Sequence, residues 1–286
     1  MSAIDNDPMV STEWLAANLG SVKLFDGSSH LPTTGRNADE EFLVEHIEGA
    51  QRFNIDDIAD PDDPLPHTLP SAELFAEKVG ALGVGNDDLV VIYDVYGLWS
   101  AARPWWMFRA MGFDNVKVLD GGLAKWKAEG RPIVGGPAYA VEPKTFSANF
   151  RPELLRSRDQ MMANVTSRAE QVVDARAAGR FEGKDPEPRA GMRSGHIPGS
   201  RSLPISELID GESKTLKNAS ELSKLFDAAG VDPSKPVVSS CGSGVTACVI
   251  AIAAYRLGHP NMAVYDGSWT DWGGRQDTPI ETGPAA

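Results

Sequence analysis

Val237–Gly258 reads VVSSCGSGVTACVIAIAAYRLG. A short run rich in valine reaches a cysteine, a small glycine-bearing turn follows, and an apolar stretch of helical length closes the segment. The brief run ended by turn residues reads as a buried strand, and the longer one as a buried helix. Strands that feed helices in alternation build a parallel sheet covered on both faces. In such sheets ligands bind beyond the carboxyl ends of the strands, which is where Cys241 stands.

Working outward, the chain repeats itself. FLVEHIEGAQRFNIDDI (42–58) matches GMRSGHIPGSRSLPISEL (191–208), LFDGSS at Leu24 matches VVDARA at Val172, and VKVLDGGLAKW at Val116 matches MAVYDGSWTDW at Met262. Asp26 and Asp174 lie 148 positions apart, His46 and His196 lie 150 apart, and Asp120 and Asp266 lie 146 apart. A spacing of 146–150 kept over three landmarks in the same order means two copies of one α/β domain, each with its own core. In the first copy VKLFD and DLVVIYD read as strands, and SAELFAEKVGALG as a helix with Ser71 at its N-cap and Gly83 near its stop. QVVDA, SELSKLFDAAG and KPVVSSC repeat the series. The expected division is a first domain over 1–140, a Gly- and Pro-containing linker over 141–158, and a second domain over 159–286. The mostly parallel central sheets should be flanked by helices.

The copies differ where it matters. VVIYD aligns with VVSSC, so Asp94 takes the place of Cys241. The spacing predicts one thiol site, in the second half. His46 and His196 occur in both copies and read as architectural hydrogen-bonding residues. Cys248, on the apolar face of the following helix, reads as core, and the aromatic clusters PWWMF and GSWTDW read as core or interdomain packing.

Composition limits the classes of function. The 286 residues carry a net charge of −13, with 27 Lys and Arg against 40 Asp and Glu. Such a field disfavours nucleic acid and anionic membranes, so an anionic substrate needs a local arginine cluster. No secretory signal or membrane-spanning run is visible. Two cysteines seven positions apart make a poor disulfide, and the expectation is reduced thiols in the cytoplasm. Five scattered histidines show no metal-ligand spacing, and no metal or cofactor is expected.

A thiol with an ordinary pKa of about 8.5 is lowered at a helix N-terminus by the dipole and free N–H groups. Gly242, Ser243 and Gly244 let the backbone curl so that successive amides meet one anion. CGSGVTA, with GHIPGS, YDGSW and the tandem copies, closely resembles the rhodanese superfamily over nearly the whole chain. Within it the match is to the 3-mercaptopyruvate sulfurtransferases. Thiosulfate-using relatives typically carry basic residues after the cysteine, whereas this loop is neutral at Gly242 and Ser243.

The resemblance implies sulfur transfer from 3-mercaptopyruvate to Cys241 as a persulfide, release of pyruvate, and delivery to a thiol acceptor such as thioredoxin or to cyanide. It places Arg180 and Arg189 on the substrate, with Gly242, Gly244, Val245 and Thr246 as loop contacts. It implies a proton path through Ser243, His67 and Asp56. Asn54 stands where many relatives carry aspartate, and adjacent Asp57 is a second carboxylate for His67. Two fused domains already provide the interface a single one would lack, and a monomer is expected.

Three other readings are weighed against this one. A thiosulfate-preferring transferase fits the fold but not the neutral loop. A cysteine phosphatase needs an arginine six residues after its cysteine, where this chain has Ala247. A non-catalytic sulfur-carrier module would have no need of both arginines and the His67–Asp56 pair.

Overall fold

A computed structural model describes residues 7–285. The chain forms two compact units, each with one five-stranded sheet whose strand pairs are all parallel. Residues up to Pro61, Leu69–Arg151 and Gly211–Leu216 make the first; Asp62–Thr68, Pro152–Asp210 and the residues from Lys217 make the second.

The first unit runs β1 (Met9–Val10), α1 (Thr12–Asn18), β2 (Lys23–Asp26), α2 (Ala38–Val44), β3 (Gln51–Arg52), α3 (Ala72–Ala81), β4 (Val90–Tyr93), α4 (Ala102–Ala110), β5 (Val116–Leu119) and α5 (Gly122–Ala128). Its sheet order is β1-β5-β4-β2-β3. The second unit runs β6 (Leu155–Arg156), α6 (Arg158–Ser167), β7 (Gln171–Asp174), α7 (Ala178–Phe181), β8 (Arg201–Ser202), α8 (Ile205–Leu208), α9 (Ala219–Ala228), β9 (Val237–Ser240), α10 (Ala247–Arg256), β10 (Ala263–Tyr265) and α11 (Ser268–Trp272). Its order, β6-β10-β9-β7-β8, repeats the first sheet strand for strand.

The sequence explains these elements locally. All four residues of β4 and of β9 are buried, as expected for central strands with both faces covered. Ser71 caps α3 by accepting the Leu74 N–H at 3.2 Å, and Gly83 follows the helix with φ +77°. The edge strands β1 and β6 have two residues each, too short to carry a period, and β6 lies inside the stretch read as linker.

The paired histidines are architectural in both units. His46 Nδ1 bonds the Phe42 carbonyl at 2.8 Å with the rings stacked 3.9 Å apart, and His196 repeats this on Phe181 at 2.8 and 3.8 Å. Each also forms an antiparallel bridge, to Val134 and Glu281 respectively. Trp105, Trp106, Trp269 and Trp272 are buried, the last two in the core of the second unit, and Cys248 is fully buried. No helix among the described residues is long and apolar enough to cross a membrane.

Candidate active site

β9 delivers Cys241 at the carboxyl end of the second sheet's central strand, and five residues of loop separate it from α10. The turn needs glycine at Gly244, whose φ is +75°. Cys241 is 1% exposed, and neither cysteine is in a disulfide.

The loop is held from behind by α11. Trp269 N–H donates to the Cys241 carbonyl at 3.0 Å, while the Thr270 N–H and hydroxyl donate to the Gly242 carbonyl at 2.8 and 2.7 Å. In a trans peptide the N–H points opposite to the C=O of the same plane. Anchoring those two carbonyls therefore turns the Gly242 and Ser243 N–H groups away from α11. Among the described residues the amides of Gly242, Ser243, Val245 and Thr246 donate to no acceptor of the chain. Buried N–H groups are rarely left so, and a run of them at one turn is the signature of an anion cradle.

The first unit shows such a cradle filled. Asp94 follows β4 where Cys241 follows β9, and its carboxylate is fully buried. Oδ1 accepts the N–H groups of Tyr96 and Gly97, both at 2.9 Å, and Oδ2 those of Trp99 and Ala101 at 2.7 and 2.8 Å. At the repeat spacing these amides correspond to Ser243, Gly244, Thr246 and Cys248; Ser243 and Thr246 are among the undonated ones, while the Cys248 N–H donates to the Val245 carbonyl at 3.2 Å. Leu123 N–H also donates to the Asp94 carbonyl at 2.9 Å, the counterpart of Trp269 on Cys241. A carboxylate oxygen lies as many bonds from Cα as the outer sulfur of a cysteine persulfide. The first copy thus carries a built-in anion where the second has a thiol able to acquire one.

The sequence-predicted arginines come to this loop. Arg180 lies in α7, and its Nη2 would lie 3.3 Å from a Cβ added to Gly242, so the absent side chain is what lets the guanidinium approach. Arg180, Arg189, Glu187, Gly242, Trp269 and Thr270 line one narrow cleft. Sequence reading missed the residue that organises it. Glu187 Oε2 accepts Arg180 Nε at 3.2 Å, and its Oε1 accepts Nη1 of buried Arg176 at 2.6 Å. Arg176 also bonds the Asp174 carboxylate, with Nη2 to Oδ2 at 2.7 Å, and lies over the Trp269 ring at 4.2 Å. Burial alone would lower the Arg176 pKa, but Asp174 and Glu187 hold it above the ordinary value. Asp174, Arg176, Glu187 and Arg180 thus form a chain of alternating charge from the end of β7 to the cleft.

Ser243 is 8% exposed, and its hydroxyl has no hydrogen-bond partner among the described residues. His67 belongs to the second unit, with Cys241 and Ser243, although it lies early in the sequence; its backbone is left-handed at φ 62°. Asp56 belongs to the first unit, on a turn where its N–H donates to Asn54 Oδ1 at 2.9 Å. Both Asp56 and Asp57 are exposed. Among the described residues no group of three or more His, Cys, Asp or Glu could hold a metal ion.

Comparison with known proteins agrees with this architecture. The rhodanese-like domain family matches twice, over residues 11–129 and 157–275. The chain is 46% identical to 3-mercaptopyruvate sulfurtransferase of Rattus norvegicus, covering 92% of this chain and 91% of that protein. It is 42% identical to thiosulfate sulfurtransferase of Bos taurus, with coverage of 92% and 91%. A crystal structure of the 3-mercaptopyruvate sulfotransferase of Escherichia coli superposes with a TM-score of 0.83 at 36% identity, covering 92% of this chain and 99% of that one. With two matching sheets, one thiol loop and one carboxylate-filled counterpart, the chain belongs to the rhodanese family as a tandem two-domain member.

Proposed function

We propose that this chain is a 3-mercaptopyruvate sulfurtransferase that carries sulfur on Cys241. The observation that carries the reading is the cradle of undonated amides beside Cys241, together with the carboxylate that fills the equivalent cradle at Asp94. The Cys241 thiolate attacks the substrate sulfur, the carbon–sulfur bond breaks, and its electron pair leaves as the enolate of pyruvate. A proton on the enolate carbon completes pyruvate, and the new sulfur stays on Cys241 as a persulfide. An acceptor thiol then attacks the outer sulfur, leaves as its own persulfide and restores the Cys241 thiolate; cyanide does the same and leaves as thiocyanate.

Arg180 and Arg189 bind the substrate carboxylate and keto oxygen, and as the enolate forms they meet the developing charge. Ser243, with His67, hands protons to and from the substrate. Relatives of nearly equal identity are named for either sulfur donor, so identity does not choose between them. Choice of donor rests on the loop: neutral Gly242 and Ser243 leave room for Arg180 and a carboxylate-bearing substrate. The acceptor is a small protein dithiol of the thioredoxin kind, the chain works as a monomer, and its location is the cytoplasm, where both thiols stay reduced.

Intact-mass measurement after incubation with 3-mercaptopyruvate should show the gain of one sulfur atom and equimolar pyruvate, both absent in Cys241→Ser at unchanged fold. Pyruvate release undiminished in that variant would refute the assignment, and faster turnover with thiosulfate than with 3-mercaptopyruvate would reverse the donor.

A further inference from the structure

Ser268 is one of four described non-glycine residues with left-handed backbone, at φ 48°. A left-handed residue with a Cβ costs free energy and persists where its surroundings impose it. At the same place in the first unit stands Gly122, with φ 53°, where no such cost arises. The turn geometry is shared, yet the thiol-bearing copy has a side chain at this position and the carboxylate-bearing copy has none.

That side chain is fully buried and fully used. The Ser268 hydroxyl donates to the Tyr265 carbonyl at 2.8 Å and accepts the Cys241 N–H at 3.1 Å. Its one proton is committed to Tyr265, so the oxygen faces Cys241 as an acceptor and cannot donate to the sulfur. With Trp269 N–H on the Cys241 carbonyl at 3.0 Å, both peptide groups of the cysteine are clamped by adjacent residues. Fixing both planes fixes the direction of the Cα–Cβ bond, and hence where the sulfur enters the ring of amides.

We infer that Ser268 is a positioning residue for sulfur transfer: its hydroxyl clamps the Cys241 peptide so that the thiolate and its persulfide point into the loop amides, and the left-handed strain is retained for that purpose. This rests on the assignment of Cys241 as the sulfur carrier. The side chain stabilises nothing that glycine would not, apart from the two hydrogen bonds, and glycine would relieve the strain. Stability and activity should therefore separate.

The test compares Ser268→Gly and Ser268→Ala with the native full-length chain. Three readouts are needed: thermal midpoint, kcat/KM for pyruvate release from 3-mercaptopyruvate, and the pH profile of iodoacetamide alkylation read on the Cys241 peptide by mass spectrometry. Ser268→Gly, which installs the residue of the first copy, should unfold within a few degrees of native. Its kcat/KM should fall about tenfold, the effect of one misdirected hydrogen bond, and its alkylation profile should move to higher pH. Ser268→Ala keeps the strain without the hydroxyl; it should show the same shift in profile and a lower thermal midpoint than Ser268→Gly. A native profile in both variants would overturn the inference, even with lower stability, because a purely structural role moves the midpoint and not the thiol. Native kcat/KM in Ser268→Gly would also overturn it. Failure of the underlying assignment is separately visible, since native protein would then gain no sulfur on Cys241.

Discussion

Placing arginine at position 242 should reverse the preference between sulfur donors, and the geometry gives the size of the effect. A Cβ at Gly242 would meet Arg180 Nη2 at 3.3 Å, tight enough that the guanidinium must give way. It has little room, because Glu187, itself buried, holds it from the other side. Two guanidiniums about 5 Å apart repel by about 1–3 kcal/mol at effective dielectric constants between those of water and the protein surface. A displaced Arg180 also loses a charge-assisted hydrogen bond to the substrate carboxylate, about 1.5–3 kcal/mol. Together these lower kcat/KM for 3-mercaptopyruvate by about 10²-fold or more. Thiosulfate has no carboxylate to place and two negative charges to satisfy, so its kcat/KM should hold steady or rise. Gly242→Ala, with one added carbon, should cost only a few-fold with 3-mercaptopyruvate. The assay is steady-state turnover of both donors with cyanide as acceptor for native, Gly242→Ala and Gly242→Arg. If 3-mercaptopyruvate turnover survives in Gly242→Arg, or both donors fall in parallel, Arg180 is not held in place by the missing side chain.

Two further outcomes concern the first unit. Asp94→Asn replaces one accepting oxygen with a donor, leaving one buried and one partly buried N–H group unmet, so urea unfolding should show a loss of about 1–3 kcal/mol; an unchanged midpoint would show that the carboxylate does not organise that loop. Glu129 is held at a pKa of about 2, below its ordinary value of 4.5: burial would raise it, but hydrogen bonds from Lys125, Arg131 and Thr12 prevail. A depressed carboxylate stabilises the fold above its unfolded pKa and loses that contribution as pH falls from about 4.5 towards 2. Glu129→Gln should therefore lower stability at pH 7 by about 1 kcal/mol, as expected for a pair near the surface, and by almost nothing near pH 2. An equal effect at both pH values would contradict this.

The repeat made the fold legible, because strand, turn and helix signals recur at one spacing and each copy checks the other. Cys241 was legible for the same reason: glycine on both sides of Ser243 has a backbone explanation and little other use. His46 and His196 were correctly separated from the chemistry by their presence in both copies. What stayed hidden depends on contacts distant in sequence. Glu187 sits in an acidic, proline-containing loop and resembles any solvated carboxylate until Arg176 and Arg180 close on it from two sides. Ser268, in GSWTDW, was read as part of an aromatic packing motif; the available signal was DGS against DGG in the two copies, a serine where the fold prefers glycine. Asp94 was legible as a substitution for cysteine but not as an acceptor of four amides, since backbone donors leave no mark in side-chain patterns. The membership of His67 in the second unit was equally invisible, because chain order gives no hint that 62–68 leaves its neighbours.

The exchanged segments bear on how the protein is made. Lys214 lies against Gly97, and the Leu216 N–H donates to the Asp120 carboxylate at 2.8 Å, so the first unit is finished by residues synthesised some sixty positions after Arg151, where its preceding stretch ends. A nascent chain emerging from the ribosome must hold the first unit incomplete until residue 216 is free. A fragment starting at residue 152 would have the thiol but lack His67. Vectorial synthesis and gene fission are both constrained by the same two short stretches of backbone.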